Sequence, residues 1–124
     1  MYLLDTNVVI DFCNAKLPIT AKQLFSDIEP KISVITHIEI FSSAKTNEKE
    51  NLALQDFIQF ATVYNHLDLD VVEETIQIRQ LYKTKLPDAI IAATALVNNC
   101  TLVSRNISDF KNIAGLKVID PYNL

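Results

Sequence analysis

Glycine is almost missing from this chain of 124 residues, which has one, and proline occurs four times. That scarcity leaves little room for flexible Gly-rich or Pro-rich linkers between modules. Cysteine is nearly as rare: Cys13 and Cys100 stand apart, without the close pairing of a zinc knuckle or a redox motif, and read as reduced, structural thiols. No apolar run reaches the roughly 18 residues that a membrane span needs. Asp5 and Asn7 fall where a signal peptide would need its apolar stretch, so the expectation is a soluble, cytoplasmic protein. A basic excess is lacking too, the net charge being −4. This argues against a binder held to nucleic acid by charge alone. It is a weaker objection to a metal-dependent nuclease, because four carboxylates committed to metal would leave the rest of the chain neutral.

What the chain does have is apolar residues, 49% of the total, against 21% charged. This composition predicts one globular domain over 1–124 with a proper core. Tyr2, Leu3 and Leu4 read as a buried strand ending at Asp5-Thr6-Asn7, with a short helix beginning by Val8 to Phe12. In open α/β sheets the ligand crevice lies outside the carboxyl ends of the strands, which makes Asp5 the first functional candidate. Any of Asp5, Thr6 and Asn7 could instead simply cap the helix. Pro18 to Ile28 has helical spacing, and Lys31 to Ile35 is a second strand. Thr36 and Glu39 fit a capping box opening a helix that continues through Ile40, Phe41 and Ala44, with His37 read as a surface or packing residue rather than a ligand. Asn47 to Ala61 forms an amphipathic helix whose stripe is Leu52, Leu54, Phe57, Ile58 and Ala61.

Val63 to Leu67 reads as a third strand. Asp68 and Asp70 lead into a helix carrying Val71, Val72, Ile76, Ile78, Leu81 and Tyr82, with Glu73 and Glu74 as surface charge in its first turn. From Leu86 to Val97 the residues after Pro87 are almost all apolar, as in a buried central helix, and Asp88 is its one carboxylate. Thr101 to Ser104 is the next strand, followed by Asn106 and Asp109, and Lys117 to Asp120 is the last. Strands alternating with helices predict a parallel sheet covered on both faces.

Asp5, Glu39, Asp88 and Asp109 share one expected feature: each follows a strand or stands in a helix's first turn. Those positions converge on one sheet edge, where four carboxylates would repel one another unless a cation lay among them. Hard oxygen donors without a cysteine or histidine cluster favour Mg²⁺ or Mn²⁺, and the matching chemistry is phosphodiester hydrolysis.

The chain resembles the PIN-domain ribonucleases, and among them the VapC-type toxins of bacterial toxin–antitoxin pairs. The resemblance rests on Leu4-Asp-Thr-Asn-Val-Val-Ile-Asp11, Ile32-Ser-Val-Ile-Thr-His-Ile-Glu39, Leu86-Pro-Asp-Ala-Ile-Ile-Ala-Ala-Thr94, and Leu102-Val-Ser-Arg-Asn-Ile-Ser-Asp-Phe110 with Leu116-Lys-Val-Ile119. It implies a three-layer α/β/α sandwich around a parallel sheet of four to five strands. It makes Asp5, Glu39 and Asp88 the metal-binding acids, supported by Thr6 or Asn7. The fourth acid stands at position 106 in some members and at 109 in others; here Asp109 is the choice, with Asn106 as a neutral ligand or substrate contact. A homodimer, an RNA substrate and a small antitoxin that blocks the site are further implications. Lys83, Lys85, Arg105 and Lys111 could hold phosphates or be solvated surface charge. One rival is an aspartyl-phosphate phosphatase or receiver domain, weakened because Asn7 stands where a second acid is usual. The other is a degenerate PIN-like domain that binds protein or RNA without cutting.

Overall fold

The computed structural model describes residues 1–43 and 47–124. Its strands are β1 (Tyr2–Leu4), β2 (Lys31–Ser33), β3 (Thr62–Tyr64), β4 (Thr101–Val103) and β5 (Val118–Ile119). Its helices are α1 (Thr6–Cys13), α2 (Ile19–Ser26), α3 (Val34–Ser43), α4 (Glu48–Phe60), α5 (Leu69–Leu81), α6 (Leu86–Val97) and α7 (Ile107–Phe110). All strands run parallel in the order β3-β2-β1-β4-β5. The chain thus builds outward from β1 in one direction, then returns to lay β4 on its other side. Between β1 and β4 lies the switch point at which such sheets open a crevice.

Successive side chains of a strand face opposite ways, and this alternation makes the layers. Leu3 and Leu102 enter a core with α5, α6 and Phe110, while Leu4, Ile32 and Val103 enter a second core with α1, α2, α4 and Ile40 of α3. The expected sandwich with five parallel strands is therefore what forms. Within it α6 is the buried helix: every residue from Ala89 to Ala95 is inside.

Several local expectations need correction. Strand β2 stops at Ser33, and Val34 and Ile35 are already helical, despite β-branched side chains. The reason is the Ser33 hydroxyl, which accepts the Thr36 N–H at 3.1 Å and so caps α3 two residues inside the expected strand. Thr36 is consequently inside the helix, and the capping box with Glu39 does not form. The expected helical Ala44 lies outside the described residues. Leu52 is exposed, since Leu54 and Phe57 define the buried face of α4 and Leu52 stands off it. Strand β3 is Thr62–Tyr64 rather than Val63 to Leu67. On α5, Val71, Thr75 and Ile78 face inward, leaving Val72, Ile76 and Leu81 in solvent. Helix α5 starts at Leu69 with Asp68 as its cap, so Asp70 holds the first turn and Glu73 and Glu74 stand beyond it.

Candidate functional site

Asp5 is pinned by its backbone at the junction of β1 and α1. Its N–H donates to the Val103 carbonyl at 2.9 Å, extending the ladder between β1 and β4, and its carbonyl accepts from Val9 at 3.1 Å to begin the helix. The residue is 6% exposed. Its Oδ1 accepts the Thr6 N–H and its Oδ2 the Ser104 hydroxyl, each at 2.8 Å. Asp5 is the α1 cap as well as the acid at the strand end, although its cap bond goes to the first helical amide instead of the usual second or third.

Glu39 projects from the second turn of α3 toward α1. The Thr6 hydroxyl donates to Glu39 Oε1 at 2.6 Å and lies 3.2 Å from the Thr36 hydroxyl, so Thr6 joins the first strand–helix junction to the second. Asp88 stands half-buried in the first turn of α6 and Asp109 exposed in the first turn of α7. The four acids lie within one another's field. Burial pushes the Asp5 carboxyl above its ordinary range, the Ser104 and Thr6 bonds oppose this, and Glu39 and Asp109 raise it further. The Asp88 carboxyl is raised by burial and then by repulsion from Asp5, Asp109 and Glu39, with Lys85 acting against them. Among the described residues no lysine or arginine forms an ion pair with Asp5, Asp88 or Asp109.

The remaining candidates divide. Asn7 is exposed on the first turn of α1 and takes no part in the hydrogen bonds described for Asp5 and Glu39. Asn106 caps α7 without a side-chain cap bond, its N–H donating to Ser104 Oγ at 3.0 Å. Arg105 is neither a purely solvated charge nor close-paired with the acids: its guanidinium stands 3.5 Å from Asp11 and lies over the Tyr122 ring, 5.6 Å from its centroid. Tyr122 also donates to Asp11. Lys83, Lys85 and Lys111 are exposed. His37 packs edge-on against Phe41, 5.7 Å between centroids, which is the packing alternative of the two expected for it.

Sequence reasoning missed Ser104, which is fully buried and holds Asp5 from the neighbouring strand. Its signal was positional. Leu4 pairs with Val103, so the next residue on each strand, Asp5 and Ser104, emerges at the same edge.

As they stand, no three acidic, histidine or cysteine side chains among the described residues group to hold a metal ion. This differs from a closed zinc or calcium cage but suits Mg²⁺, which keeps several waters and is bound through one or two carboxylates together with substrate phosphate. The donor set is all hard oxygen, and the mutual repulsion of Asp5 and Asp88 with their neighbours is what a divalent cation would relieve. The residues fit such a cation.

A parallel sheet with acids gathered at its switch point is the arrangement of a known family. The chain belongs to the PIN domain family, whose sequence profile matches residues 2–116. Among individual proteins it is similar to Ribonuclease VapC1 of Rickettsia felis, with 28% identity over 94% of this chain and 93% of that one. A solved toxin–antitoxin complex from Klebsiella pneumoniae contains a chain 35% identical, superposing with a TM-score of 0.79 over all of both chains. DNA-bound VapBC from Salmonella typhimurium gives a TM-score of 0.82 at 25% identity, covering 97% of each chain.

Proposed function

We propose that this chain is a single PIN domain acting in the cytoplasm as a metal-dependent endoribonuclease, the toxin of a type II toxin–antitoxin pair. The observation that carries the reading is the electrostatic cluster of Asp5, Glu39, Asp88 and Asp109 outside the carboxyl ends of β1 and β4. The likeness to a protein named as a ribonuclease, and to chains solved in toxin–antitoxin complexes, supports it. The likeness to chains solved in such complexes supports an antitoxin protein as partner, and a homodimer is proposed as the working unit.

In this reading the site for Mg²⁺ or Mn²⁺ is drawn from Asp5, Glu39, Asp88 and Asp109, one or two of them contacting the cation and the others acting through its waters, with Thr6, Asn7 and Asn106 in support. The cation would supply hydroxide from bound water and stabilise the departing oxygen of the RNA phosphodiester. The chain's own contribution is orientation. Ser104 and the Thr6 amide hold both oxygens of Asp5, and the Thr6 hydroxyl holds Glu39, so two acids from different strand ends are set before any ligand arrives. Lys85 and Arg105 lie at the margin as phosphate contacts, Arg105 aimed by Asp11 and Tyr122.

Calorimetric titration with Mn²⁺ and an RNA cleavage assay, on wild type and Asp88→Asn, test this. Saturable binding and metal-dependent cutting are expected in the wild type, with cutting reduced at least about 100-fold in the variant. Undiminished cutting by well-folded Asp88→Asn would remove Asp88 from the site. Neither binding nor cutting by the wild type would leave a degenerate PIN-like domain that recognises a partner.

A further inference from the structure

Beside the acids the surface opens into a cavity of about 470 Å³ whose lining includes Asp88 and Asp109. One wall is the connection between α5 and α6, with Lys83, Thr84 and Lys85; the other is α7 and the turn after it, with Ser108 and Asn112. This volume is within the roughly 300–1,000 Å³ of pockets that take a small organic group. Tyr82 ties the walls together, its hydroxyl accepting the Ala114 N–H at 3.1 Å. Tyr82 is itself among the residues lining the cavity, and its hydroxyl bond holds the side chain in place.

We propose that this cavity is the subsite for one nucleoside flanking the scissile phosphate of single-stranded RNA, with Asn112 and Ser108 reading its base. The inference rests on the ribonuclease reading above and adds to it where the substrate's specificity is set. A phosphodiester held at the acids carries a nucleoside on each side. Because Asp88 and Asp109 belong to both the acid cluster and the cavity, one of those nucleosides is delivered to this opening. Lys83 and Lys85 on the rim supply cations for the adjoining phosphate on a chain that is otherwise net acidic.

The remaining groups match a base. An asparagine amide presents a donor and an acceptor side by side, the pattern that pairs with a base edge, and a serine hydroxyl serves as either. Tyr82 offers an aromatic ring of the kind on which unpaired bases stack. Leu81 and Ile113 complete the lining beside these polar groups. An unpaired base offers Asn112 its pairing edge, whereas the deep, narrow major groove of A-form RNA keeps side chains from the edge a duplex leaves free, which favours single-stranded RNA.

The test uses the full chain with Mg²⁺ and two readouts. Short RNAs bearing 4-thiouridine next to the cleaved bond are photocrosslinked and the adducts mapped by mass spectrometry. In parallel, cleavage of a randomised RNA pool is compared for wild type, Asn112→Ala and Ser108→Ala. Crosslinks are expected within residues 81–85 or 108–113, and Asn112→Ala should flatten the preference at the flanking base by about tenfold. Lys83→Ala should lower the salt dependence of RNA binding by about 0.7 in logarithmic slope. Cutting with crosslinks only outside those segments, or with an unchanged base preference in both variants, overturns the subsite and leaves the ribonuclease. Crosslinking in the cavity without any cutting overturns the ribonuclease and leaves an RNA-binding pocket. Neither cutting nor crosslinking overturns both.

Discussion

Ser104 shows how much of the site depends on a residue with no acid of its own. Its hydroxyl donates to a buried carboxylate and its oxygen accepts the Asn106 N–H, so Ser104→Ala takes a partner from each. An unsatisfied buried group costs about 1–3 kcal/mol, which a chemical denaturation curve will register. A purely structural role would end there. If Ser104 orients Asp5 for metal, Mn²⁺ affinity in the folded variant falls by about 10–100-fold. The Ser104 bond also opposes the upward shift of Asp5, so its loss moves the acid limb of the cleavage profile to higher pH. Unchanged Mn²⁺ affinity would reduce Ser104 to a packing residue. The acids themselves were legible because each follows a strand or opens a helix, or, for Glu39, lies a turn beyond that opening. Ser104 was not, because its partner is 99 residues away and only the strand register brings them together. Glu39 was legible as a candidate, but its capping assignment failed because Ser33, three residues before Thr36, takes the cap first.

Among the elements, long helices were read from periodicity, while the short strands were read unevenly: β1 falls at Tyr2–Leu4 as expected and β4 ends one residue early, but β2 and β3 are shorter than expected. Helix α4 lies within one residue at each end of the expected 47–61, its start marked by Asn47, whose side chain accepts the Glu50 N–H at 3.2 Å. Each strand has at most three residues, too few for an alternation to declare itself, and β2 lost two expected residues to α3. Helix α6 was legible for a different reason, being apolar on every side. That burial carries a prediction. Ala92 and Ala93 are fully buried in a helix set between α5 and the sheet, so Ala93→Leu has no space to fill and should cost about 1–3 kcal/mol by thermal or denaturant melting. Leu52→Ser, at a position 56% exposed on α4, should stay within about 0.5 kcal/mol. A tolerated Ala93→Leu would mean that α6 is not the closely packed helix that presents Asp88 to the crevice.

For the molecule as a whole, the acids set a competition between protons and metal that can be read from stability. Asp5 and Asp88 have folded-state values raised above the ordinary 3.8, so the native chain keeps protons that the unfolded chain has already released. The contribution of these groups to metal-free stability is therefore present below 3.8 and is lost as pH rises through their folded values. Asp88→Asn removes one such charge and should raise the metal-free melting temperature at neutral pH, an advantage that shrinks as the solution is acidified. Mg²⁺ binds only the ionised carboxylates, so it restores at higher pH what their repulsion took away and has little to bind where protons occupy them. At about 100 times its Kd the cation adds about 2.7 kcal/mol, and each kcal/mol raises the Tm of a chain this size by about 3–6 °C. Melting curves from pH 4 to 8, with and without Mg²⁺, should thus diverge as pH rises for the wild type and remain together for Asp88→Asn. Wild-type curves that run parallel across the range would mean that these acids repel one another without sharing a cation, and the helix caps and strand ends would then be their whole role.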